Sequence, residues 1–223
     1  MPKTRSEQLF ESFCELRGIR CRRVAEGTVP TPDYDIFVPL RKIVVEVKEF
    51  TINKEEQRAE QERLKTGFSS GSVTPGDRVR KKISDAGPQI RQRTKNRFPG
   101  LLILFDRGSG FNHLDPYSIR VAMYGLDTVQ FAVPRDHRRN PYVVRAKSGP
   151  KRKMTPEVNT SISAIGALYC PERGVTELVV YHNAHASIPL RPELLRRYGI
   201  RQYRLGRAGN NDEISQWEKI RAG

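Results

Sequence analysis

The chain is most easily classified by what it lacks. No apolar run approaches the roughly 20 residues a membrane-crossing helix needs. The opening residues, Met1-Pro2-Lys3-Thr4-Arg5, carry neither the apolar stretch of a secretion signal nor a lipidation signature. Cysteine is scarce: Cys14, Cys21 and Cys170 are odd in number and have no CxxC or Cys/His spacing, which argues against a zinc site. The expectation is a cytoplasmic protein whose cysteines are reduced packing residues. There is no P-loop, no GxGxxG and no internal repeat, and Gly108-Ser109-Gly110 is only a short turn signal.

Positive charge, by contrast, is abundant. Forty Lys and Arg face 25 Asp and Glu across 223 residues, a formal net charge of +15. With 37% hydrophobic and 29% charged residues, the composition is that of a soluble globular chain. Its length suits a single domain with insertions. Basic clusters recur at Arg20/Arg22/Arg23, from Arg78 to Lys82, from Arg91 to Arg97, at Arg135/Arg138/Arg139 and from Lys147 to Lys153. Such a field attracts polyanions. A membrane surface fits less well, because the basic residues are not gathered on one amphipathic helix beside aromatics. Nucleic acid is therefore the expected partner, with Lys82, Arg93, Arg138 and Arg139 as candidate phosphate contacts. General basicity of the ribosomal-protein kind is the bland alternative.

Hydrophobic spacing orders the first half. Leu9, Phe10, Phe13, Cys14 and Leu16 form a helical stripe over 4–17, ended by Gly18. Short strands follow at 19–25 and 36–38, then a strand rich in β-branched residues at 43–48. Residues 51–77 change to a charged stretch and then a Gly/Ser-rich one, and read as a mobile, part-helical insertion. Asp77 is placed to cap a second helix, in which Val79, Ile83, Ala86 and Ile90 make one stripe. Leu101 to Phe105 is a strand of the buried kind. In the second half the pattern predicts strands near 118–123, 127–132, 160–168 and 175–182, with a basic loop at 134–157. A helix at 192–198 and a weak helix at 210–221 complete the reading.

One constellation carries chemistry. Strand alternation puts Glu46 and Lys48 on one face and Val45 and Val47 on the other. Charges at the end of a buried strand need a partner. Asp33, on the preceding strand, can lie beside Glu46. Two carboxylates suit Mg²⁺, a hard ion that takes oxygen ligands. Such an ion screens phosphate charge and acidifies water, and Lys48 can stabilise charge that develops in the transition state.

Pro32-Asp33 followed by Glu46-Val47-Lys48 resembles the PD-(D/E)XK nuclease superfamily, over roughly residues 6–106. The resemblance implies an α/β fold: a restriction-endonuclease-like mixed central sheet flanked by helices, in the order helix, three strands, helix, strand. Extra β-rich elements then make up the C-terminal half. It implies a metal-dependent endonuclease that uses Mg²⁺ or Mn²⁺ and acts on DNA, with a homodimer as one assembly able to cut both strands. It assigns metal binding to Asp33, Glu46 and the Val47 carbonyl, and catalytic roles to Asp33, Glu46, Lys48, Glu7 and Gln89.

Several alternatives stay open. Glu7 also completes a Thr4-x-x-Glu7 capping box, and Glu11 is a fallback for the same role. Asp35 shares a strand face with Asp33 and could replace it. Gln89 is equally a surface helix residue. His113, His137, His182 and His185 are scattered and read as structural. RNA as substrate, or nucleic-acid binding without cutting, are the rival functions.

Overall fold

The computed structural model describes residues 3–25, 31–39, 41–68, 70, 73–107, 112–136, 138–171, 175–206 and 214–221. Helix α1 (Arg5–Leu16) leads into strands β1 (Arg20–Arg23), β2 (Tyr34–Val38) and β3 (Arg41–Phe50). Helices α2 (Lys54–Thr66) and α3 (Asp77–Thr94) follow, then strand β4 (Gly100–Asp106) and helix α4 (Pro116–Tyr124). Strands β5 (Asp127–Ala132), β6 (Tyr142–Ser148), β7 (Ile162–Tyr169) and β8 (Glu177–His182) come next. Helix α5 (Glu193–Arg196) and strands β9 (Arg201–Leu205) and β10 (Trp217–Lys219) complete the elements of the described residues.

Eight strands form one mixed sheet in the order β1-β2-β3-β4-β7-β8-β9-β10, while β5 and β6 form a separate two-stranded ribbon. β3 pairs antiparallel with β2 and parallel with β4, and β4 pairs parallel with β7. Both faces of the central strands are covered, which is why Ile43-Val44-Val45 and Leu101–Phe105 are unbroken apolar runs. On one face, Phe10 and Phe13 of α1 pack against Val45, Val47 and Ile103. On the other, Ile83, Ala86 and Ile90 of α3 and Ile119 and Met123 of α4 pack against Leu102, Leu104 and Phe50.

The helix stripe predicted for α3 is buried at all four positions, and exposed Pro88 does not end the helix. Its N-cap is Gly76 rather than Asp77. Gly76 has φ 76°, and a Cβ there would lie 2.6 Å from the Ser118 carbonyl, so the close approach of α4 requires glycine. Asp77, one residue on, instead takes the Arg80 guanidinium at 2.5 Å.

The second half departs from the sequence reading in three places. The strand expected near 118–123 is helix α4, started by an Asp115 cap on the Ser118 N–H and by Pro116 at the first turn. Because every residue from Ser118 to Tyr124 is buried, a period of two cannot be told from 3.6 there. The basic loop expected at 134–157 contains β6, paired with β5. Of the weak helix expected at 210–221, residues 210–213 lie outside the described residues, and 217–219 form strand β10, where the Trp217 ring packs tilted against Tyr181 and its Nε1–H donates to the Pro116 carbonyl. The expected strands at 127–132, 160–168 and 175–182 correspond to β5, β7 and β8, and the helix at 192–198 to α5.

Within the 51–77 segment, α2 begins with an Asn53/Glu56 capping box and buries no residue fully. It is fixed by Glu56, which holds Arg78 at 2.6 Å and His113 at 3.1 Å. Gly108-Ser109-Gly110, His137, and residues 69, 71 and 72 of the insertion lie outside the described residues. No described helix is long and apolar enough to cross a membrane.

Candidate active site

The site forms where β2 stops and β3 runs on. In the β2–β3 register Tyr34 lies opposite Val45 and Asp35 opposite Val44. Two residues further, Pro32 falls opposite Val47. Alternation along an antiparallel pair makes this a hydrogen-bonding position, where partners would exchange both N–H and C=O. Val44 donates its N–H the other way, to Pro99 beside β4, which fixes the direction of Val47 towards β2. Pro32 has no N–H to give to the Val47 carbonyl. The Val47 N–H is taken at 2.8 Å by the Asp33 carboxylate. The Pro-Asp pair thus replaces one rung of the ladder with a side chain and leaves the Val47 carbonyl facing the site without a donor from residue 32.

Glu46 and Lys48 project from the face that carries α3. The Glu46 side chain is only 1% exposed, and its Oε1 is 2.5 Å from Lys48 Nζ, which is 26% exposed. Glu46 Oε2 is buried and has no hydrogen-bond partner. Burial pushes the Glu46 carboxyl up to about 7; the neighbouring Asp33 adds to the rise and Lys48 opposes it. Burial also raises Asp33, with the Val47 N–H and Lys48 opposing and Glu7 reinforcing the rise. Two carboxylates whose burial raises their pKa sit side by side, with Lys48, backbone N–H groups and, for Asp33, Arg23 opposing the rise.

Helix α3 lines this face with a second stripe, one position away from its apolar one. Arg93 reaches Asp35 at 2.8 Å, Lys82 lies near enough to Lys48 for that cation to lower its pKa behind the leading effect of burial, and Arg78 lies over the Phe50 ring. α3 therefore runs antiparallel to β3. Gln89, one turn (about 6 Å) from Arg93, falls level with Glu46, two residues (about 7 Å) from Val44. Gln89 Oε1 is likewise buried without a partner. Two buried acceptors at one level of the β3–α3 seam lack donors.

The remaining expectations divide. Of the two readings of Glu7, the capping box forms: Oε2 accepts from the Thr4 N–H at 2.7 Å, and Oε1 is 3.3 Å from Arg23. Glu7 reaches Asp33 only as a neighbouring charge. Glu11 accepts from Tyr34 at 3.0 Å and pairs with Lys3, away from Glu46. Among the described residues no group of three or more His, Cys, Asp or Glu could hold a metal ion. Asp33 and Glu46 are the carboxylates brought side by side, with Glu7 a further charge near Asp33.

Asp35 has a different task. Its side chain is fully buried and meets Arg93 at 2.8 Å, Arg22 at 3.1 Å and Lys42 at 3.7 Å. Burial alone would raise it, but hydrogen bonds from Arg93 and Arg22 hold it below the ordinary carboxylate value. It ties β1, β3 and α3 together, and Arg93, expected as a phosphate contact, pairs with it while its own side chain stays 33% exposed. Spacing gave one usable hint: Arg78, Lys82, Asp85, Gln89 and Arg93 recur at helical intervals beside the apolar stripe. Lys82 stands beside the site. Arg138 and Arg139 lie at the exposed tip between β5 and β6, where Arg139 approaches Asp136 at 3.9 Å.

Compared with protein-family models, with curated proteins and with solved structures, the chain matches none.

Proposed function

We propose that this chain is a metal-dependent nuclease with a restriction-endonuclease-like core, acting as a DNA endonuclease. The observation that carries the reading is the buried Glu46 carboxylate, whose Oε2 has no partner although Asp33 is a neighbouring carboxylate. The cost of leaving such a group unsatisfied is of the order of 1–3 kcal/mol or more. A hard cation that takes oxygen ligands removes that cost, and the donor set fits Mg²⁺ or Mn²⁺. Bound there, such an ion would screen phosphate charge and acidify water.

The chain's own groups supply the rest. Lys48 can donate to the oxygen on which negative charge develops. Lys82, close to Lys48, adds a second cation where a phosphate would approach. Gln89 offers an acceptor or donor level with Glu46. Asp35 and Arg93 hold α3 in register with β3, which keeps Gln89 at that level.

A second reading has its own observation. Glu46 Oε1 already has Lys48 as an ion-pair partner, and no three-residue metal group forms among the described residues. A nucleic-acid-binding protein that does not cut would also tolerate that pair. Incubating the protein with plasmid, single-stranded DNA, branched DNA and RNA, in Mg²⁺ or Mn²⁺ and in EDTA, separates the readings. Metal-dependent scission of DNA supports the proposal. Binding without scission under every metal supports the rival, and scission of RNA alone moves the substrate.

A further inference from the structure

The β5–β6 ribbon belongs to neither core cluster and pairs with no strand of the main sheet. Its base is built to hold it out. Gly125, at φ 103°, turns the chain out of α4, and a Cβ there would strike the Gly149 carbonyl. Buried Arg120 closes on Asp127, and Leu126 donates to the Pro150 carbonyl at 3.1 Å.

The register divides the ribbon into two unlike faces. Val129 pairs with Ala146 and Phe131 with Val143, while Thr128 pairs with Lys147 and Gln130 with Arg145. An isolated two-stranded ribbon is marginal in water. Its cross-strand apolar pairs contribute to its stability, with Val129, Phe131 and Val143 themselves 41%, 60% and 54% exposed. The other face presents Arg145, Lys147, Gln130 and Thr128, all exposed. From 127 to 148 five Arg or Lys face two Asp, and Asp127 is already engaged by Arg120. The net charge of this arm is positive and its polar face holds hydrogen-bond donors.

We propose that the β5–β6 ribbon is a docking arm for B-form DNA, its Arg145/Lys147 face lying in the major groove. A B-form major groove, about 12 Å wide, admits a two-stranded ribbon. The deep, narrow groove of an A-form RNA helix does not. The inference deepens the nuclease reading and rests on it for the fate of the DNA, but not for the contact itself: it names the substrate as duplex DNA. Lys147 and Arg145 neutralise phosphates along the groove wall, and Gln130 and Thr128 reach base edges. The tip cations Arg138 and Arg139 extend the contact to the flanking backbone.

Fluorescence anisotropy in EDTA tests this without interference from cutting. The probes are one sequence of about two helical turns prepared as DNA duplex, RNA duplex and single-stranded DNA. The wild type is expected to bind the DNA duplex at least about tenfold more tightly than the RNA duplex. Arg145→Ala/Lys147→Ala should weaken DNA binding about tenfold or more and reduce the salt slope by about two. Its thermal melt should match the wild type, since both side chains are exposed. If that variant loses its cooperative melt, Arg138→Ala/Arg139→Ala, changed only at the tip, carries the same expectation. Unchanged affinity and slope in the folded variant, or equal affinity for the RNA duplex, overturns the proposal. So does a wild-type dimer in sedimentation that Phe131→Ser/Val143→Ser converts to monomer with DNA binding intact, because the apolar face would then be the working one. Binding retained with no metal-dependent cutting counts against the nuclease reading alone. Cutting retained with unchanged binding in the arm variants counts against the arm alone.

Discussion

Asp33 accepts the Val47 N–H at 2.8 Å, in the place where Pro32, lacking an N–H, breaks the β2–β3 ladder. That substitution of a side chain for a rung puts a carboxylate at the strand end and turns a backbone carbonyl towards it. Changing Pro32 to Ala would restore an N–H able to pair with Val47. The variant is expected to fold as well as the wild type and to lose metal affinity about tenfold or more, at about 1.4 kcal/mol per decade. Isothermal titration with Mn²⁺ measures it, and unchanged affinity would mean the carbonyl takes no part.

Glu46 makes metal-free stability depend on pH. Its folded-state pKa of about 7 stands above the ordinary 4.5, so the folded protein binds the extra proton. The associated stability is complete below about pH 4.5 and is lost as pH rises through about 7. The span corresponds to roughly 3 kcal/mol at about 1.4 kcal/mol per unit. Asp33, also raised by burial, acts in the same direction. Melts in EDTA from pH 5 to 8 should fall steadily for the wild type and much less for Glu46→Gln. Parallel curves would show that Glu46 does not titrate in this range.

Asp33 and Asp35 should separate cleanly. Asp33→Asn should abolish cleavage while melting no lower than the wild type in EDTA, because it removes one of two crowded carboxylates. Asp35→Ala leaves Arg22, Lys42 and Arg93 without their shared anion. It should cost roughly 2–3 kcal/mol, less than the full range for a buried pair because Arg22 and Arg93 are partly exposed. Thermal melts together with single-turnover cleavage well below the melting point distinguish them. A stable, inactive Asp35→Ala beside an active Asp33→Asn would reverse the assignment.

Gln89→Leu removes a buried acceptor that lacks a partner. Metal-free stability should rise by up to about 1 kcal/mol, while cleavage slows at least about tenfold through lost positioning. Such a trade is expected of a group placed for function rather than folding. A variant that cuts at the wild-type rate would make Gln89 an ordinary helix residue.

The part of the chain that could be read in advance is the part with one dominant period. The end of β3 alternates from Val45 to Lys48, which puts Glu46 and Lys48 on one face, and the Val79/Ile83/Ala86/Ile90 stripe fixes which side of α3 is buried. Reading failed where burial is all-round, as in α4, or where tertiary contact overrides local preference, as when Trp217 draws the tail into the sheet. The Asp35 hub could not be read at all, because its three cations come from β1, β3 and α3 and meet only after folding. Glu7 showed the limit of a motif: it forms the capping box with Thr4 and is also a neighbouring charge of Asp33, so the two readings do not exclude each other. Basic composition pointed to nucleic acid without separating Arg93, which pairs with Asp35, from Lys82, which stands at the site.

The central claim is that Glu46 holds the cation on which phosphodiester cutting depends. Its most direct test is single-turnover cleavage of duplex DNA by the wild type and by Glu46→Gln, starting in EDTA and titrating Mn²⁺ to excess. Neither protein should cut in EDTA. The wild type should then cut to saturation as Mn²⁺ rises, and Glu46→Gln should stay slower by about a hundredfold or more at every concentration. Cutting by the wild type in EDTA, or equal saturating rates for the two proteins, would contradict it.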